Sequence, residues 1–280
     1  MNLFCTDLRK SFESKRIIKL ITGIDNLNIS NIIHIAEAAK LSDVSYLDVV
    51  ANTKVVQLLK SSSSLPICVS SINPIDLYNC VIAGADLVEI GNFDFCYKQG
   101  IYLSSSELLK LVKQVIVLLP NIDICVTIPY FLSLNEQVKL AQKLESLGVN
   151  IIQTESFFIK NKSDTLNKPF NSTFSSIYPS FISLLSTYII SRYVNVPVIA
   201  SSSINHLSSP IALLFGASGI GIGSAVSQQN NILYMYYYLR LIRSLVDSLC
   251  VSIRLQLNRK LLLFNFLDFY ILNNLKNILI

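Results

Sequence analysis

Short runs of apolar residues alternate along this chain with longer segments in which apolar positions recur every three or four residues. The short runs indicate buried strands, and the longer segments indicate amphipathic helices. Strands that alternate with helices are typical of parallel α/β proteins. The eight strand-like runs span residues 16–21, 45–50, 66–70, 86–90, 123–127, 150–154, 196–200 and 219–222. The pattern therefore predicts an α/β fold, a (β/α)8 TIM-type barrel.

The connections between these runs carry helix signals and give the barrel a direction. Pro74 is well placed to open one helix, and Ser104 caps another with Glu107 three residues later. Two long connections, residues 91–103 and 155–176, follow strands rather than precede them. They therefore belong to the face of the barrel where active sites are found. The second is expected to be a lid over that face or a tolerated surface insertion.

The chain is longer than a barrel with one closing helix requires. We assign residues 1–256 to a single barrel domain and residues 257–280 to an additional, amphipathic C-terminal helical tail. This tail is expected to pack on the barrel. The alternatives are an interface between copies of the chain, which would give a homo-oligomer, and binding to a membrane surface.

Composition narrows the classes of function. Apolar residues make up 51% of the chain and charged residues 15%, which suits a barrel inside a ring of helices. The net charge of +5 is spread without any run of Lys and Arg, so no nucleic-acid partner is expected. Residues 207–239 are uncharged, but Pro210 and four glycines divide them, so no transmembrane segment is expected.

The cysteines and histidines do not form a recognisable ligand set. Six cysteines are scattered without a CxxC pair, and neither of the two histidines has ligand spacing to a cysteine. We therefore expect no metal site. We also expect reduced cysteines, as in a cytosol-like or stromal compartment.

Two turns of small residues follow the last two predicted strands. In (β/α)8 barrels the turns after strands seven and eight often bind a phosphate group through backbone N–H groups and a helix N-terminus. Small residues let the backbone approach such an anion closely. The predicted phosphate-binding residues are Ser201, Ser202, Ser203, Gly223, Ser224 and Ala225. The alternative is that the glycines only allow the barrel to close tightly.

Three charged residues lie within predicted strands. Helices cover the outer face of a barrel, so these charges are expected to point inward or to lie at strand ends. We predict that Lys19, Asp48 and Glu89 form a catalytic acid/base group, because an ammonium enclosed with two carboxylates offsets the cost of burying them. The alternative is an ion network that only fills the barrel. The polar residues predicted to bind a substrate are Asn92, Thr127, Gln153 and Glu155.

Three blocks of the sequence resemble a known family. They are AGADLVEIGNFDFCYKQG (residues 83–100), VTIPYFLSLNEQVKLAQKLESLGVNIIQTES (residues 126–156) and GASGIGIGSAV (residues 216–226). Together they are similar to the hypothetical chloroplast reading frame twenty-three family of algal plastids and cyanobacteria, over roughly residues 10–243. The resemblance implies a TIM-type barrel that is plastid-encoded and located in the chloroplast stroma. It implies no particular reaction.

The closing block is also similar to the phosphate sites of barrel enzymes that handle phosphorylated sugars, indole precursors, thiamin precursors or flavin mononucleotide. Those enzymes typically have glycines where this chain has Ser202 and Ser203. The expected ligand is a phosphorylated small molecule, and the expected activity is that of a lyase, isomerase or synthase. The alternatives are an oxidoreductase that uses flavin mononucleotide as its cofactor, and a non-catalytic metabolite-binding or regulatory barrel.

Overall fold

The computed structural model describes residues 3–156, 177–229 and 231–256. Its eight strands are all parallel and close into a barrel in which each strand pairs with the next and the eighth pairs with the first. The strands are β1 (Ile17–Ile21), β2 (Tyr46–Val50), β3 (Ile67–Ser70), β4 (Leu87–Ile90), β5 (Asp123–Ile128), β6 (Ile151–Thr154), β7 (Val198–Ala200) and β8 (Gly219–Ile222). The predicted TIM-type barrel is therefore confirmed.

Helices connect these strands and surround the barrel. They are α1 (Thr6–Glu13), α2 (Ile29–Leu41), α3 (Thr53–Ser62), α4 (Pro74–Ile82), α5 (Asp94–Lys98), α6 (Ser105–Leu118), α7 (Leu134–Ser146), α8 (Phe181–Ile190), α9 (Ser208–Leu214), α10 (Ser224–Ser227) and α11 (Ile232–Gln256). A 3-10 turn, Tyr178–Ser180, precedes α8. Two of these helices, α1 and α5, have no counterpart among the elements predicted from the sequence.

Local capping explains where several helices begin. Ser104 and Glu107 form a capping box at the start of α6, in which each side chain accepts from the backbone N–H of the other residue. Pro74 occupies the first turn of α4, as predicted. Ser133 and Glu136 form a second capping box at the start of α7.

The last helix described, α11, packs against α2 and α9 and thereby closes the helical ring. The tail predicted for residues 257–280 lies outside the described residues. Within the described part of the chain, no helix combines the length and apolar character that crossing a lipid bilayer requires.

The apolar core has two parts on either side of the strands, because successive strand residues point to opposite faces. The larger part lies between the strands and the surrounding helices. The smaller part fills the barrel at the N-terminal ends of its strands, where Ile17 and Tyr46 meet Leu8 and Phe12 of α1. This arrangement makes α1 a plug for one end of the barrel and leaves the other end open to loops.

Asp123 holds the segment before α1 in place. Its carboxylate accepts the backbone N–H groups of Phe4 (3.0 Å) and Cys5 (2.7 Å). Phe4 is 54% exposed, whereas Phe12 is buried. These two aromatic residues near the plugged end of the barrel therefore differ strongly in burial.

This difference gives a matched pair of variants. Phe12→Ala should lower the free energy of unfolding by about 3–5 kcal/mol, because it opens a cavity in the barrel interior. Phe4→Ala should change it by no more than about 0.5 kcal/mol, since it removes an exposed ring and keeps the backbone N–H. Urea denaturation of both variants measures the difference, and equal losses would contradict the plugging role of α1.

Candidate functional site

A cavity of about 540 Å³ opens at the C-terminal ends of the strands. It is bounded by strand ends and by the loops that follow β1, β4, β7 and β8. Its floor is formed by a hydrogen-bonded group of polar residues inside the barrel. This floor network comprises Lys19, Asp48, Ser70, Glu89, Thr127 and Gln153.

The alternation of strand residues places the floor network inside the barrel. In β1, Lys19 points inward while Ile18 and Leu20 belong to the outer core. Strand register then sets the neighbours: Ser70 lies beside Glu89, and Thr127 lies beside Gln153. The structure thus brings together five residues that the sequence singled out, namely Lys19, Asp48, Glu89, Thr127 and Gln153.

Lys19 is the cation of the floor network. Its Nζ forms ion pairs with Asp48 Oδ2 (2.9 Å) and Glu89 Oε2, and donates to Gln153 Oε1 (2.9 Å). These acceptors match the three hydrogens that an ammonium carries. Burial acts to lower the pKa of Lys19, but Asp48 and Glu89 outweigh it and raise that pKa well above its ordinary value. Lys19 is fully buried beneath the cavity rather than at its surface.

Asp48 and Glu89 are the network's carboxylates, and both line the cavity. Glu89 Oε1 accepts from Thr127 Oγ1 (2.8 Å) and from Gln153 Nε2 (2.7 Å), while Asp48 Oδ1 accepts from Ser70 Oγ (2.6 Å). Burial raises the pKa of Glu89, although Lys19 opposes that shift. All four carboxylate oxygens therefore have a hydrogen-bond donor, which offsets part of the cost of removing these groups from water.

Asp48 and Glu89 also lie near a thiol of the type that binds metals. One ligand atom from each of Asp48, Cys68 and Glu89 falls within 4.8 Å of the others. However, the Lys19 ammonium already pairs with both carboxylates. Burial raises the pKa of Cys68 well above its ordinary value, which keeps the thiol protonated. In this arrangement the cation that pairs with both carboxylates is the Lys19 ammonium.

The other two predicted substrate-binding residues have different positions. Glu155 follows β6 and lines the cavity wall, where Tyr97 Oη and the Tyr130 backbone N–H (3.2 Å) both donate to its Oε1. Burial raises the pKa of Glu155 to about 8. Asn92 does not line the cavity. Its side chain instead accepts from the N–H of Leu103 (2.9 Å) and donates to the carbonyl of Leu103 (3.2 Å), which fixes the loop after β4.

The turns after β7 and β8 form one side of the cavity. Ser202 and Ser203 are both in the left-handed region, with φ of 65° and 57°. Gly221 faces this turn, since a Cβ atom there would lie 2.7 Å from Ser201 Oγ. Among the predicted phosphate-binding residues, Ala225 does not line the cavity, whereas the others do. Small residues thus keep the two turns close together.

Sequence reasoning missed Ser70 and Tyr97. Ser70 ends β3 and points inward two residues after Cys68, so the alternation already contained the signal for it. Tyr97 lies on α5, inside the connection after β4. Its position depends on how that connection folds over the barrel, and no local pattern indicates this.

The floor network predicts how a Lys19 variant responds to pH. Lys19→Met should lower the free energy of unfolding by about 3–5 kcal/mol at pH 8, because it leaves Asp48 and Glu89 buried without their cation. Lys19 is the main opposition to the effect of burial on Glu89, so without that cation the pKa of Glu89 should be raised further in the folded state. The lost stability should therefore return as the pH falls from 8 to 5, since the folded state then binds more protons than the unfolded state.

Denaturant unfolding at pH 5 and pH 8 measures this response. Exposed Lys54 supplies the control, and Lys54→Met should change stability little at either pH. The double variant Lys19→Met/Glu89→Gln should recover part of the loss. A Lys19→Met protein as stable as the wild type at pH 8 would show that the network does not need its cation.

Solved structures of TIM-barrel enzymes match most of the chain. (S)-3-O-geranylgeranylglyceryl phosphate synthase from Thermoplasma acidophilum, solved with sn-glycerol-1-phosphate, is 12% identical at a TM-score of 0.59, covering 89% of this chain and 99% of that one. Thiamine phosphate pyrophosphorylase from Pyrococcus furiosus is 16% identical at a TM-score of 0.55, covering 84% and 98%. Similarity at these identities establishes the fold.

Relatives by sequence are much more similar. "Uncharacterized protein ycf23" of Antithamnion sp. is 49% identical over 242 residues, which is 85% of this chain and 87% of that protein. The protein of the same name from Cyanophora paradoxa is 42% identical over 220 residues, which is 78% and 88%. This name is that of a plastid reading frame, which indicates a plastid-encoded chain. The family model "Protein of unknown function (DUF561)" matches residues 4–251, so the chain belongs to that family, as the resemblance predicted.

Proposed function

We propose that this protein binds a phosphorylated small metabolite at the turns after β7 and β8, and acts on it as a lyase, isomerase or synthase in the chloroplast stroma. The observation that carries the proposal is the backbone conformation of Ser202 and Ser203 beside the cavity. Two consecutive non-glycine residues in the left-handed region cost about 1–3 kcal/mol each. Strain of this kind is concentrated at binding sites, where the surrounding structure imposes it.

The backbone N–H groups at these turns suit an anion. No acceptor among the described residues bonds the N–H of Ser202 or Ser203. Ser224 and Ala225 open α10, so their N–H groups have no partner within that helix. Successive unpaired N–H groups in a tight turn form an anion-binding concavity. The similar TIM-barrel enzymes, thiamine phosphate pyrophosphorylase and a synthase solved with sn-glycerol-1-phosphate, support the same class of ligand.

The floor network supports chemistry beside such an anchor. Asp48 and Glu89 line the same cavity as the two turns, and Lys19 pairs with both and opposes the effect of burial on the pKa of Glu89. An ionised carboxylate next to a bound metabolite is suited to accept a proton from it. Because all three acceptors of Lys19 hold its ammonium in place, the geometry favours a role for Lys19 in stabilising charge over one as a nucleophile.

The anion site can be tested by placing a negative charge in it. Ser224→Asp should weaken the binding of inorganic phosphate by about tenfold or more, because like charges a few ångströms apart repel by more than about 1.4 kcal/mol in a partly buried site. Ser105→Asp is the matched control, since Ser105 occupies the same first position of a helix, α6, remote from the cavity. Isothermal titration calorimetry with inorganic phosphate compares both variants with the wild type.

If all three proteins bound phosphate equally, the anion site would not lie at these turns. If the wild type bound no phosphate, the proposed ligand class would be wrong.

Glu89→Gln tests the proposed chemistry. Native mass spectrometry of the purified protein first identifies the bound metabolite, and turnover of that compound is then measured. The variant should lose turnover by about 10²–10⁴-fold because it removes a proton-transferring group, while circular dichroism stays that of the wild type. Exposed Glu37→Gln on α2 should retain full turnover. Normal turnover by Glu89→Gln would contradict the assignment.

The same spectrum separates the alternatives. A flavin mononucleotide adduct and a yellow protein would favour an oxidoreductase, and a ligand bound without any turnover would favour a regulatory barrel.

A further inference from the structure

Glu155 differs from the carboxylates of the floor network in how it is bonded. The two hydrogen bonds that it accepts, from Tyr97 Oη and from the backbone N–H of Tyr130, both end on Oε1. No donor among the described residues bonds Oε2. The side chain is almost entirely buried, with 5% of the residue exposed, yet it lines the cavity. One oxygen is thus fixed in place while the other is left for a ligand.

Within the described part of the chain, Glu155 also has no cationic partner. Among the described residues, no Lys, Arg or His forms an ion pair with it, whereas Asp48 and Glu89 share Lys19. Of the titratable groups that the structure describes, Tyr97 donates to it, and the carboxylates of Asp94 and Glu89 act on it electrostatically. Cys96 and Tyr130 also lie close enough to interact with it. A buried carboxyl without a cation is expected to stay protonated, because ionising it there costs several kcal/mol.

We propose that Glu155 is the proton donor of this cavity, a neutral carboxylic acid whose Oε2–H addresses an oxygen atom of the phosphorylated ligand. This inference rests on the proposed function, since it names the partner that Glu155 meets. Tyr97 is a positioning residue, because its hydroxyl holds Oε1 and thereby leaves Oε2 as the oxygen that a ligand can meet. The cavity then has two carboxyl groups paired with an ammonium on its floor and a neutral acid on its wall, so different environments give its carboxyl groups different roles.

This pairing indicates the class of substrate. A floor carboxylate, Asp48 or Glu89, would remove a proton from a carbon next to a carbonyl group. The electrons of the broken C–H bond form a C=C bond, and the carbonyl π electrons move to the oxygen. Glu155 gives its proton to that oxygen and becomes a carboxylate, so charge and protons balance. The substrate class is therefore a phosphorylated carbonyl compound.

Protonation of Glu155 is also coupled to anion binding. An ionised Glu155 would add a negative charge to a cavity that already contains Asp48 and Glu89. A phosphorylated ligand therefore binds better to the protein with neutral Glu155. By linkage, the bound ligand favours the neutral form to the same extent.

The first test needs no ligand. The ordinary pKa of a glutamate is 4.5, and in the folded protein that of Glu155 is raised to about 8. A raised pKa means that the folded state binds the extra proton between these values, so the stabilising contribution is complete below pH 4.5 and is lost as the pH rises to about 8. The free energy of unfolding of the wild type minus that of Glu155→Gln should therefore fall over this pH range and level off above pH 8.

Glu37→Gln is the control, because Glu37 is exposed on α2 and its difference from the wild type should not change in that range. Parallel stability curves for the wild type and Glu155→Gln would overturn the proposal, since Glu155 would then have the same pKa in the folded and unfolded states.

The second test uses two probes, inorganic phosphate and dihydroxyacetone phosphate, a phosphorylated ketone. Between pH 7 and pH 9 the affinity of the wild type for dihydroxyacetone phosphate should fall about tenfold relative to that of Glu155→Gln. Tyr97→Phe should move the midpoint of that fall to higher pH. The reason is that the hydrogen bond from Tyr97 lowers the pKa of Glu155, so its removal keeps the acid protonated up to a higher pH.

The outcomes separate the two proposals. If phosphate binds but the pH profile for dihydroxyacetone phosphate is the same in wild type and Glu155→Gln, the proton-donor role is wrong and the anion site stands. If phosphate binds and the ketone phosphate binds no better, the carbonyl substrate class is wrong. If phosphate fails to bind the wild type, the proposed function itself fails, and with it the ligand that Glu155 is proposed to serve.

Discussion

The interior of this barrel depends on one buried cation. The Lys19 ammonium lies between the carboxylates of Asp48 and Glu89, which face the cavity from β2 and β4. Burying two carboxyl groups this deep inside a protein is costly unless a cation and a full set of donors surround them. Ser70, Thr127 and Gln153 supply those donors. The network therefore lets a mostly apolar barrel keep an anionic, hydrogen-bonded floor.

The two ends of the barrel differ in structure: one is filled by side chains and the other contains the cavity. At the N-terminal ends of the strands, α1 and apolar side chains fill the interior, and Asp123 anchors the segment that leads into α1. At the opposite ends, small residues in the turns after β7 and β8 leave room beside the floor network. One end of the interior is thus closed by packing, and Asp48, Glu89 and Glu155 line the cavity at the other end.

Much of this architecture could be predicted from the sequence, because each buried strand forms a short apolar run and its inward residues alternate with outward ones. That rule identified Lys19, Asp48 and Glu89, and it also held the signal for Ser70. It could not place Asn92, which lies just beyond β4, where the direction of a side chain depends on the loop that follows. Nor could it find Tyr97, whose contact with Glu155 depends on the path of α5 across the open end.

We propose above all that a phosphate group binds at the turns after β7 and β8. A crystal structure of the protein soaked with inorganic phosphate is the decisive experiment for this claim. We expect phosphate oxygens about 3 Å from the backbone nitrogens of Ser203 and Ser224. Phosphate bound elsewhere, with these two turns empty at a concentration that saturates binding in solution, would contradict the claim.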